Sequence, residues 1–294
     1  MDITSDRYDL LSSDGTKITA YDHGGTGEPI IFLHYLGGIA QLWQPVIKHF
    51  IQNHRVITYD LRGHGKSDQP EEGYTFEDTA KDLDTVLDHF KVNKAHLVGS
   101  SYGCMVGLYY ASNRKDRVLS LVQCDGAMIN NTGDNGLYEE TLEEHLAKFK
   151  DQFDSDYESV EAYKQFYRDN WEPWNESRAF YVEQYEPRIK KNGKVGPRTK
   201  RETLEKIISE LYYVDFLTWY EKVKCPVLFL PAEQEGHLEK TKEFLGKVSK
   251  VLPYCKTIII SGTIHLMMYD HEEKLIEAIQ LFYKELPVNT SPAK

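Results

Sequence analysis

The sequence is poor in cysteine, has no long apolar run and carries no excess of positive charge. Its four cysteines, Cys104, Cys124, Cys225 and Cys255, lie far apart without a CxxC pair, which excludes a disulfide framework or a zinc site and predicts small buried side chains. Nowhere do 18 apolar residues follow one another, and the opening MDITSDRYDLL has no basic stretch before an apolar run. We therefore expect neither a membrane span nor a signal peptide, and a cytoplasmic protein is the simplest interpretation.

Charge and composition exclude further classes of protein. The 35 Lys and Arg residues against 46 Asp and Glu give a net charge of -11, which repels nucleic acids and anionic lipid surfaces. Hydrophobic residues make up 40% and charged residues 28% of the 294 positions, so the chain can bury a sizeable core. We expect a globular protein whose partner is a small molecule, with no nucleic acid or membrane partner.

Short β-rich runs alternate with helical patterns over residues 1–125, which is typical of a parallel sheet covered by helices and predicts the α/β class. The fully apolar run Pro29–Leu33 and the run Ala95–Val98 predict interior strands. Ser13-Asp14-Gly15 predicts the turn of an opening hairpin, and Thr75-Phe-Glu-Asp78 resembles a capping box that begins a helix.

The middle of the chain differs from both ends. From Ala127 to Glu221 we find helical patterns and loops only, before strand-type segments return. This stretch holds 17 aromatic residues, enough to roof a largely apolar pocket. We interpret residues 127–221 as a helical cap (lid) domain inserted into a core made of 1–126 and 222–294. Trp171 and Trp174 are candidates for substrate contact.

The strongest motif is Gly99-Ser100-Ser101-Tyr102-Gly103, which lies between the strand Ala95–Val98 and a predicted helix. A GxSxG pattern in that position makes a sharp turn that lifts its middle serine above the edge of the sheet. The amino end of the following helix points free N–H groups at the serine, which favours negative charge on a substrate oxygen. The motif predicts that Ser101 is a nucleophile.

A serine nucleophile needs a histidine base and a carboxylate that orients it, in the chain order Ser, acid, His. His265 follows the last strand-type segment and a glycine loop, and is the predicted base; His271 and His237 fit helix and loop surfaces. Glu235 is our first candidate for the acid, since it follows the strand that ends at Leu230. Asp125 is the rival, and Glu233 is a third candidate.

The loop His34-Tyr35-Leu36-Gly37-Gly38 follows an interior strand and can present a backbone N–H to the oxyanion that the N–H of Tyr102 reaches. It lacks the GxGxxG and GK[ST] patterns, so nucleotide binding is disfavoured. His34 and Tyr35 are further candidates for substrate contact.

These motifs together resemble the α/β-hydrolase superfamily, and within it the capped, esterase-like members. The matching segments are HYLGG (34–38), DLRGHGKSD (60–68), GSSYG (99–103), PVLFLPAEQE (226–235) and SGTIH (261–265). The resemblance implies a mostly parallel eight-stranded sheet flanked by helices with a helical cap. It also implies Ser101 as nucleophile, His265 as base, Glu235 as acid, and an oxyanion hole from the backbone N–H groups of Tyr102 and Leu36, with Tyr35 as the alternative donor.

We therefore expect a serine hydrolase that cleaves small to medium apolar or aromatic carboxylic esters through an acyl-enzyme, with no metal or organic cofactor. The turn Asp60–Gly65 is interpreted as structural. A lactonase, thioesterase or carbon-carbon bond hydrolase with the same three residues is the first alternative. A small-molecule receptor with little turnover is the second.

Overall fold

The computed structural model describes residues 5–134, 136–153 and 155–286. The strands in these ranges are β1 (Asp6–Leu11), β2 (Lys17–Asp22), β3 (Ile30–Leu33), β4 (Val56–Tyr59), β5 (Ala95–Ser100), β6 (Val118–Cys124), β7 (Arg188–Ile189), β8 (Val195–Gly196), β9 (Val227–Leu230) and β10 (Cys255–Thr257). Eight of them form one sheet in the order β1-β2-β4-β3-β5-β6-β9-β10. The pairings of β2 with β1 and with β4 are antiparallel and the others are parallel. The expected mostly parallel eight-stranded sheet is confirmed.

Helices flank this sheet and fill the segment between β6 and β9. Those in the described part of the chain are α1 (Gln44–Ile47), α2 (Phe76–His89), α3 (Tyr102–Asn113), α4 (Leu142–Phe153), α5 (Val160–Asn170), α6 (Glu176–Gln184), α7 (Arg201–Leu211), α8 (Phe216–Tyr220), α9 (Leu238–Val248), α10 (Met267–Asp270) and α11 (Glu272–Glu285). Within the same ranges, no helix combines the length and the apolar character that crossing a bilayer requires.

Strand β3 shows why an unbroken apolar run becomes an interior strand. All four of its residues are fully buried, because successive side chains point to opposite faces and both faces are covered. Ile31 and Leu33 join the hydrophobic cluster that contains α2 and α3, and Ile30 and Phe32 join the cluster that contains α1 and α11. The core therefore has two layers, one on each face of the sheet.

The predicted hairpin and capping box are both present. Strands β1 and β2 pair in antiparallel register around the Ser13-Asp14-Gly15 turn. At the start of α2 the Asp78 N–H donates to Thr75 Oγ1 (3.2 Å), and the Thr75 N–H donates to the Asp78 carboxylate (3.1 Å). Two N–H groups that a helix terminus leaves without partners are satisfied in this way.

The turn that begins at Asp60 is held by buried ionic contacts. The Asp60 carboxylate accepts the N–H groups of Ala40 (2.8 Å) and Lys66 (2.9 Å). Arg62 forms a fully buried ion pair with Asp82 of α2, with 2.6 Å between Nε and Oδ2. These bonds tie the turn to α2 and to the segment after β3, which agrees with its interpretation as structural.

The segment between β6 and β9 contains α4 to α8, and it also contains one feature that the sequence did not predict. Strands β7 and β8, of two residues each, pair in antiparallel register, and the Lys190 N–H donates to Lys194 O (2.7 Å) across the turn between them. Strands this short give no period of alternation, so the pattern of the sequence could not indicate them. We call residues 127–221 the insert; its boundaries as a separate domain stay a prediction.

Candidate active site

Ser101 lies at the turn between β5 and α3, in a backbone conformation that side-chain-bearing residues rarely adopt (φ 50°). The glycines on either side allow this turn. A Cβ on Gly99 would lie 2.5 Å from the Cys104 N atom, and one on Gly103 would lie 2.3 Å from the Leu33 carbonyl oxygen. The spacing of the motif is therefore explained by close contacts between backbone segments.

A chain of two hydrogen bonds joins three side chains from distant parts of the sequence. The Ser101 hydroxyl donates to His265 Nε2 (2.9 Å), and His265 Nδ1–H donates to Asp125 Oδ2 (2.7 Å). Ser101 and His265 are partly exposed, whereas the Asp125 side chain is buried. The imidazole can accept a proton from the serine while the buried carboxylate fixes its orientation.

Asp125 follows β6 directly and is held by the neighbouring strand. Its N–H donates to the Leu230 carbonyl oxygen at the end of β9 (3.0 Å), and its Oδ1 accepts the N–H of Ala232 (2.9 Å). The left-handed backbone at Asp125 (φ 51°) turns the side chain towards His265. Gly126 lets the chain pass beside the nucleophile, since a Cβ there would lie 2.4 Å from the Ser101 carbonyl oxygen.

The structure corrects the expected partner of His265. The hydrogen bond is made by Asp125, the rival candidate, and the prediction that Glu235 would make it is wrong. Glu235 lies five residues beyond the end of β9, with a carboxylate oxygen within 4.8 Å of an imidazole nitrogen of His265. Glu233 accepts bonds from Ser261 Oγ (2.9 Å) and the Gly262 N–H (2.8 Å) instead, and so holds the loop that carries the histidine.

Two opposing effects set the protonation of His265. Burial disfavours the charged imidazolium, but the hydrogen bond to Asp125 and the negative charges of Asp125 and Glu235 favour it more. The pKa of His265 is therefore raised above its ordinary value. A base with a raised pKa accepts the serine proton more readily, provided that the pH is high enough for the imidazole to be neutral.

Asp125, Glu235 and His265 form the one cluster of side chains that could ligate a metal ion in the part of the chain that the structure describes. Both imidazole nitrogens of His265 already have partners, Ser101 and Asp125. This donor set therefore fits acid-base chemistry, in which the histidine exchanges protons with the serine.

The predicted oxyanion donors belong to segments that follow two neighbouring strands, since Leu33 of β3 pairs with Gly99 of β5. Tyr102 is the first residue of α3, where N–H groups lack partners within the helix, and its side chain is buried. Leu36 belongs to the loop after β3 and lines a cavity that Leu266, the residue after His265, also lines. The roles of Leu36, Tyr102 and the alternative Tyr35 as donors stay predictions.

The structure also corrects the expectation that His34 contacts substrate. Its side chain is fully buried, Nδ1–H donates to the Tyr35 carbonyl oxygen (2.8 Å), and Nε2 accepts the Leu61 N–H (2.9 Å). Burial holds the pKa of His34 well below its ordinary value, which keeps the ring neutral. His34 therefore fixes the conformation of its loop and has no free nitrogen for a ligand.

A cavity of about 460 Å³ lies between this loop and the insert. Of the candidates for substrate contact, Tyr35 and Trp171 line this cavity, whereas Trp174 is not among the described lining residues. The lining among the described residues is Tyr35, Leu36, Gly37, Tyr163, Phe166, Tyr167, Asn170, Trp171, Tyr181, Val182, Tyr185, Pro197, Thr199, Leu204 and Leu266. None of these described side chains carries a charge. The volume of the cavity suits a ligand of small to medium size.

Aromatic contacts connect the insert to the helix that follows His265. The Tyr269 ring meets Trp171 edge to face, with 5.0 Å between centroids, and lies 5.4 Å from Tyr181. Arg178 lies over the Trp171 ring (5.4 Å) and donates to Asp270 Oδ2 (2.8 Å). The composition of the insert predicted an aromatic lining, but the contribution of Tyr181 and its neighbours was missed because helical periodicity does not tell which rings face a cavity.

A family model described as "alpha/beta hydrolase fold" matches residues 28–167. Among curated proteins, 3-oxoadipate enol-lactonase 1 of Acinetobacter baylyi is 29% identical over 157 residues, which is 49% of this chain and 59% of that protein. Matches to two other curated relatives cover 39% and 38% of their lengths, so the chain aligns with well under two thirds of each.

Solved structures match over nearly the whole chain. E-2-(acetamidomethylene)succinate hydrolase has a TM-score of 0.79 at 20% identity, with coverage of 96% of this chain and 100% of that one. The esterase EaEST of Exiguobacterium antarcticum has a TM-score of 0.74 at 20% identity, with coverage of 94% and 99%. Likeness at this identity concerns the fold. With the family match over residues 28–167 and the sheet order, it shows that the chain has the α/β-hydrolase fold.

Proposed function

We propose that this protein is a serine hydrolase that cleaves carboxylic esters through an acyl-enzyme. The observation that carries the proposal is the chain of hydrogen bonds from Ser101 through His265 to Asp125, with distances of 2.9 and 2.7 Å. Nucleophile, base and orienting acid are all side chains of this chain, so the proposed reaction needs no cofactor.

In the first half of the reaction, Ser101 Oγ attacks the ester carbonyl carbon while His265 Nε2 takes the hydroxyl proton. Negative charge then develops on the carbonyl oxygen, where the backbone N–H groups of Tyr102 and Leu36 would stabilise it. Asp125 holds the imidazolium by its Nδ1–H bond. When the tetrahedral intermediate collapses, Nε2–H returns its proton to the leaving alcohol.

In the second half, water replaces the alcohol. His265 takes a proton from that water as it attacks the acyl carbon, and the proton passes to Ser101 Oγ when the acyl group leaves as a carboxylic acid. His265 Nε2 therefore carries the proton in both halves of the reaction while Nδ1–H stays bonded to Asp125, and the enzyme returns to its starting state.

The cavity supports a neutral, apolar or aromatic acyl or alcohol group. Its described lining consists mainly of tyrosine, tryptophan and aliphatic side chains without charge. A substrate carboxylate in such a lining would lose its hydration without gaining a cationic partner. We propose that the insert acts as a cap that shapes this pocket above the nucleophile. The free cysteines are compatible with the proposed cytoplasmic location.

Lactone hydrolysis is the second candidate, because a curated relative is named 3-oxoadipate enol-lactonase 1. A lactone is a cyclic ester, so the same hydroxyl, imidazole and carboxylate would open it, and the leaving alcohol would remain part of the product. The alternative of a binding protein with little turnover is disfavoured by the intact hydrogen bonds from Ser101 to His265 and from His265 to Asp125.

The decisive variant is Ser101→Ala. We expect it to fold normally and to lose at least about 10³-fold in kcat/KM on p-nitrophenyl butyrate, since the nucleophile is removed. Ser100→Ala is the matched control, because the buried Ser100 hydroxyl has no hydrogen-bond partner among the residues that the structure describes, and its loss should leave turnover unchanged.

A panel of neutral aryl esters, their carboxylated analogues, lactones and thioesters would then define the preferred class. Wild-type protein that a fluorophosphonate labels at Ser101, but that turns over no member of the panel, would favour the binding protein. Near wild-type turnover by Ser101→Ala would refute the nucleophile assignment.

A further inference from the structure

Two carboxylates lie close to the imidazole of His265. Asp125 accepts the Nδ1–H bond (2.7 Å), and Glu235 brings a carboxylate oxygen within 4.8 Å of both the imidazole and the Asp125 carboxylate. One carboxylate is sufficient to orient the histidine of a serine hydrolase. The proposed reaction therefore gives no role to the second.

The charge of Glu235 is only weakly compensated. Its side chain is 23% exposed, and its one ion pair among the described residues joins it to His237 at 3.8 Å. At 3.8 Å this pair is longer than a hydrogen bond, so it compensates the carboxylate only weakly. A carboxylate at this range and this degree of burial is screened only in part, so it acts on a neighbouring imidazolium.

Other polar groups near His265 bond to the loop that carries it. Glu233 accepts bonds from Ser261 and Gly262, and Lys274 of α11 donates to the Ser261 carbonyl oxygen (2.6 Å). His271 bonds the Gly262 carbonyl oxygen (3.1 Å). Asp125 and Glu235 both act on the imidazole itself, and both are negative. The two carboxylates repel each other, and both stabilise a positive charge on the imidazole.

We propose that Glu235 is a second positioning carboxylate, which helps Asp125 to hold the His265 imidazolium and partly replaces Asp125 when that side chain is lost. Only the catalytic part of this proposal rests on the proposed function, because the effect of Glu235 on the protonation of His265 does not require turnover. Strands β6 and β9 end side by side, so the loops that carry Asp125 and Glu235 begin at the same edge of the sheet and approach His265 together.

The first test measures protonation directly. The variant Glu235→Gln removes one charge at nearly constant volume, and Glu239→Gln removes the same charge from the exposed start of α9, where the glutamate pairs with Lys242. NMR titration of histidine-labelled protein should show a lower pKa for His265 in Glu235→Gln than in wild type or Glu239→Gln. A purely structural role of Glu235 in ordering its loop would not shift this titration.

The second test uses the pH profile of kcat/KM on p-nitrophenyl butyrate. Since His265 must be neutral to act as base, a lower pKa moves the acidic limb of the Glu235→Gln profile to lower pH. At the midpoint of the wild-type acidic limb, activity relative to each variant's own plateau should rise by up to about twofold. The plateau itself should fall by less than about fivefold, because Asp125 still orients the ring.

The third test compares Asp125→Asn alone with the double variant Asp125→Asn/Glu235→Gln. The single change should cost about 10²- to 10³-fold in kcat/KM, less than the loss of about 10⁴-fold typical when no second carboxylate is near. The double variant should lose about tenfold more.

Two results would overturn the proposal: an unchanged His265 titration in Glu235→Gln, or a double variant as active as Asp125→Asn. Failure of the proposed function would look different, because Ser101→Ala would then retain turnover while the NMR titration still responded to Glu235.

Discussion

The glycine at position 103 offers a sharp test of the way this site is assembled. A Cβ on Gly103 would lie 2.3 Å from the Leu33 carbonyl oxygen and 2.8 Å from that of His34. An ordinary contact needs at least 3.4 Å, so the variant Gly103→Ala forces α3 and the end of β3 apart by about 1 Å. Both neighbours are backbone, and Leu33 is paired with Gly99 in the sheet, so neither can rotate away as a side chain would.

Overpacking a close-packed site usually costs about 1–3 kcal/mol, and we expect the upper end of that range because backbone atoms must move. A loss of about 3 kcal/mol would lower the Tm of a chain of this size by roughly 6 °C. The forced shift separates Ser101 from the loop of Leu36, and a displacement of about 1 Å in an active site can cost about 10²-fold in rate. Thermal unfolding and kcat/KM on p-nitrophenyl butyrate measure both effects.

The control is Gly246→Ala in α9, where a new Cβ would have no neighbour within 4 Å among the described residues beyond its own stretch of helix. Alanine favours the helix over glycine by about 0.5–1 kcal/mol, so this variant should unfold at a slightly higher temperature and keep its activity. If Gly103→Ala matched the wild type in both Tm and turnover, the close approach of α3 to β3 would not constrain the site, and backbone contacts would not explain the spacing of the motif.

Two further variants test the supports of the site. His34→Ala removes the acceptor of the Leu61 N–H and the donor to the Tyr35 carbonyl oxygen. We therefore expect the free energy of unfolding to fall by about 1–3 kcal/mol, and kcat to fall with little change in KM. A higher KM with unchanged kcat would instead assign His34 to ligand binding. Arg62→Met leaves Asp82 as an uncompensated buried charge, which should lower the free energy of unfolding in urea by about 3–5 kcal/mol. A loss below about 1 kcal/mol would show that the ion pair is dispensable.

The sequence predicted those parts of the molecule whose local pattern is tied to one conformation. The apolar run of β3, the capping box of Thr75 and the glycines around Ser101 each correspond to a specific backbone geometry, and each is present. His265 could be predicted because it follows the last part of the sheet and must come after the nucleophile and the acid in chain order.

Other residues could not be assigned because their roles depend on contacts between distant segments. The role of His34 follows from its bond to Leu61, which lies 27 residues later in the chain. Nothing in the local pattern of either residue indicates that contact, and the same is true of the rings that line the cavity. A histidine next to a glycine loop therefore suggests a ligand contact even where, as at His34, it supports the loop.

The choice between Asp125 and Glu235 illustrates the same limit and also has a structural answer. Strands β6 and β9 are neighbours, with Cys124 opposite Leu230, so parallel pairing brings the loops after both strands to one edge. Asp125 follows its strand at once and needs no loop to reach His265. The loop after β9 first supplies the Ala232 N–H, which holds the Asp125 carboxylate in place (2.9 Å).

That hydrogen bond assigns different tasks to two loops that look equivalent in the sequence. The loop after β6 provides the carboxylate that bonds the imidazole, and the loop after β9 provides the amide that fixes this carboxylate. Because Ala232 precedes Glu235 on the same loop, the fixed position of its backbone also determines how far the glutamate can reach. A change that releases Ala232 from Asp125 would therefore disturb both carboxylates together, whereas Glu235→Gln changes one of them alone.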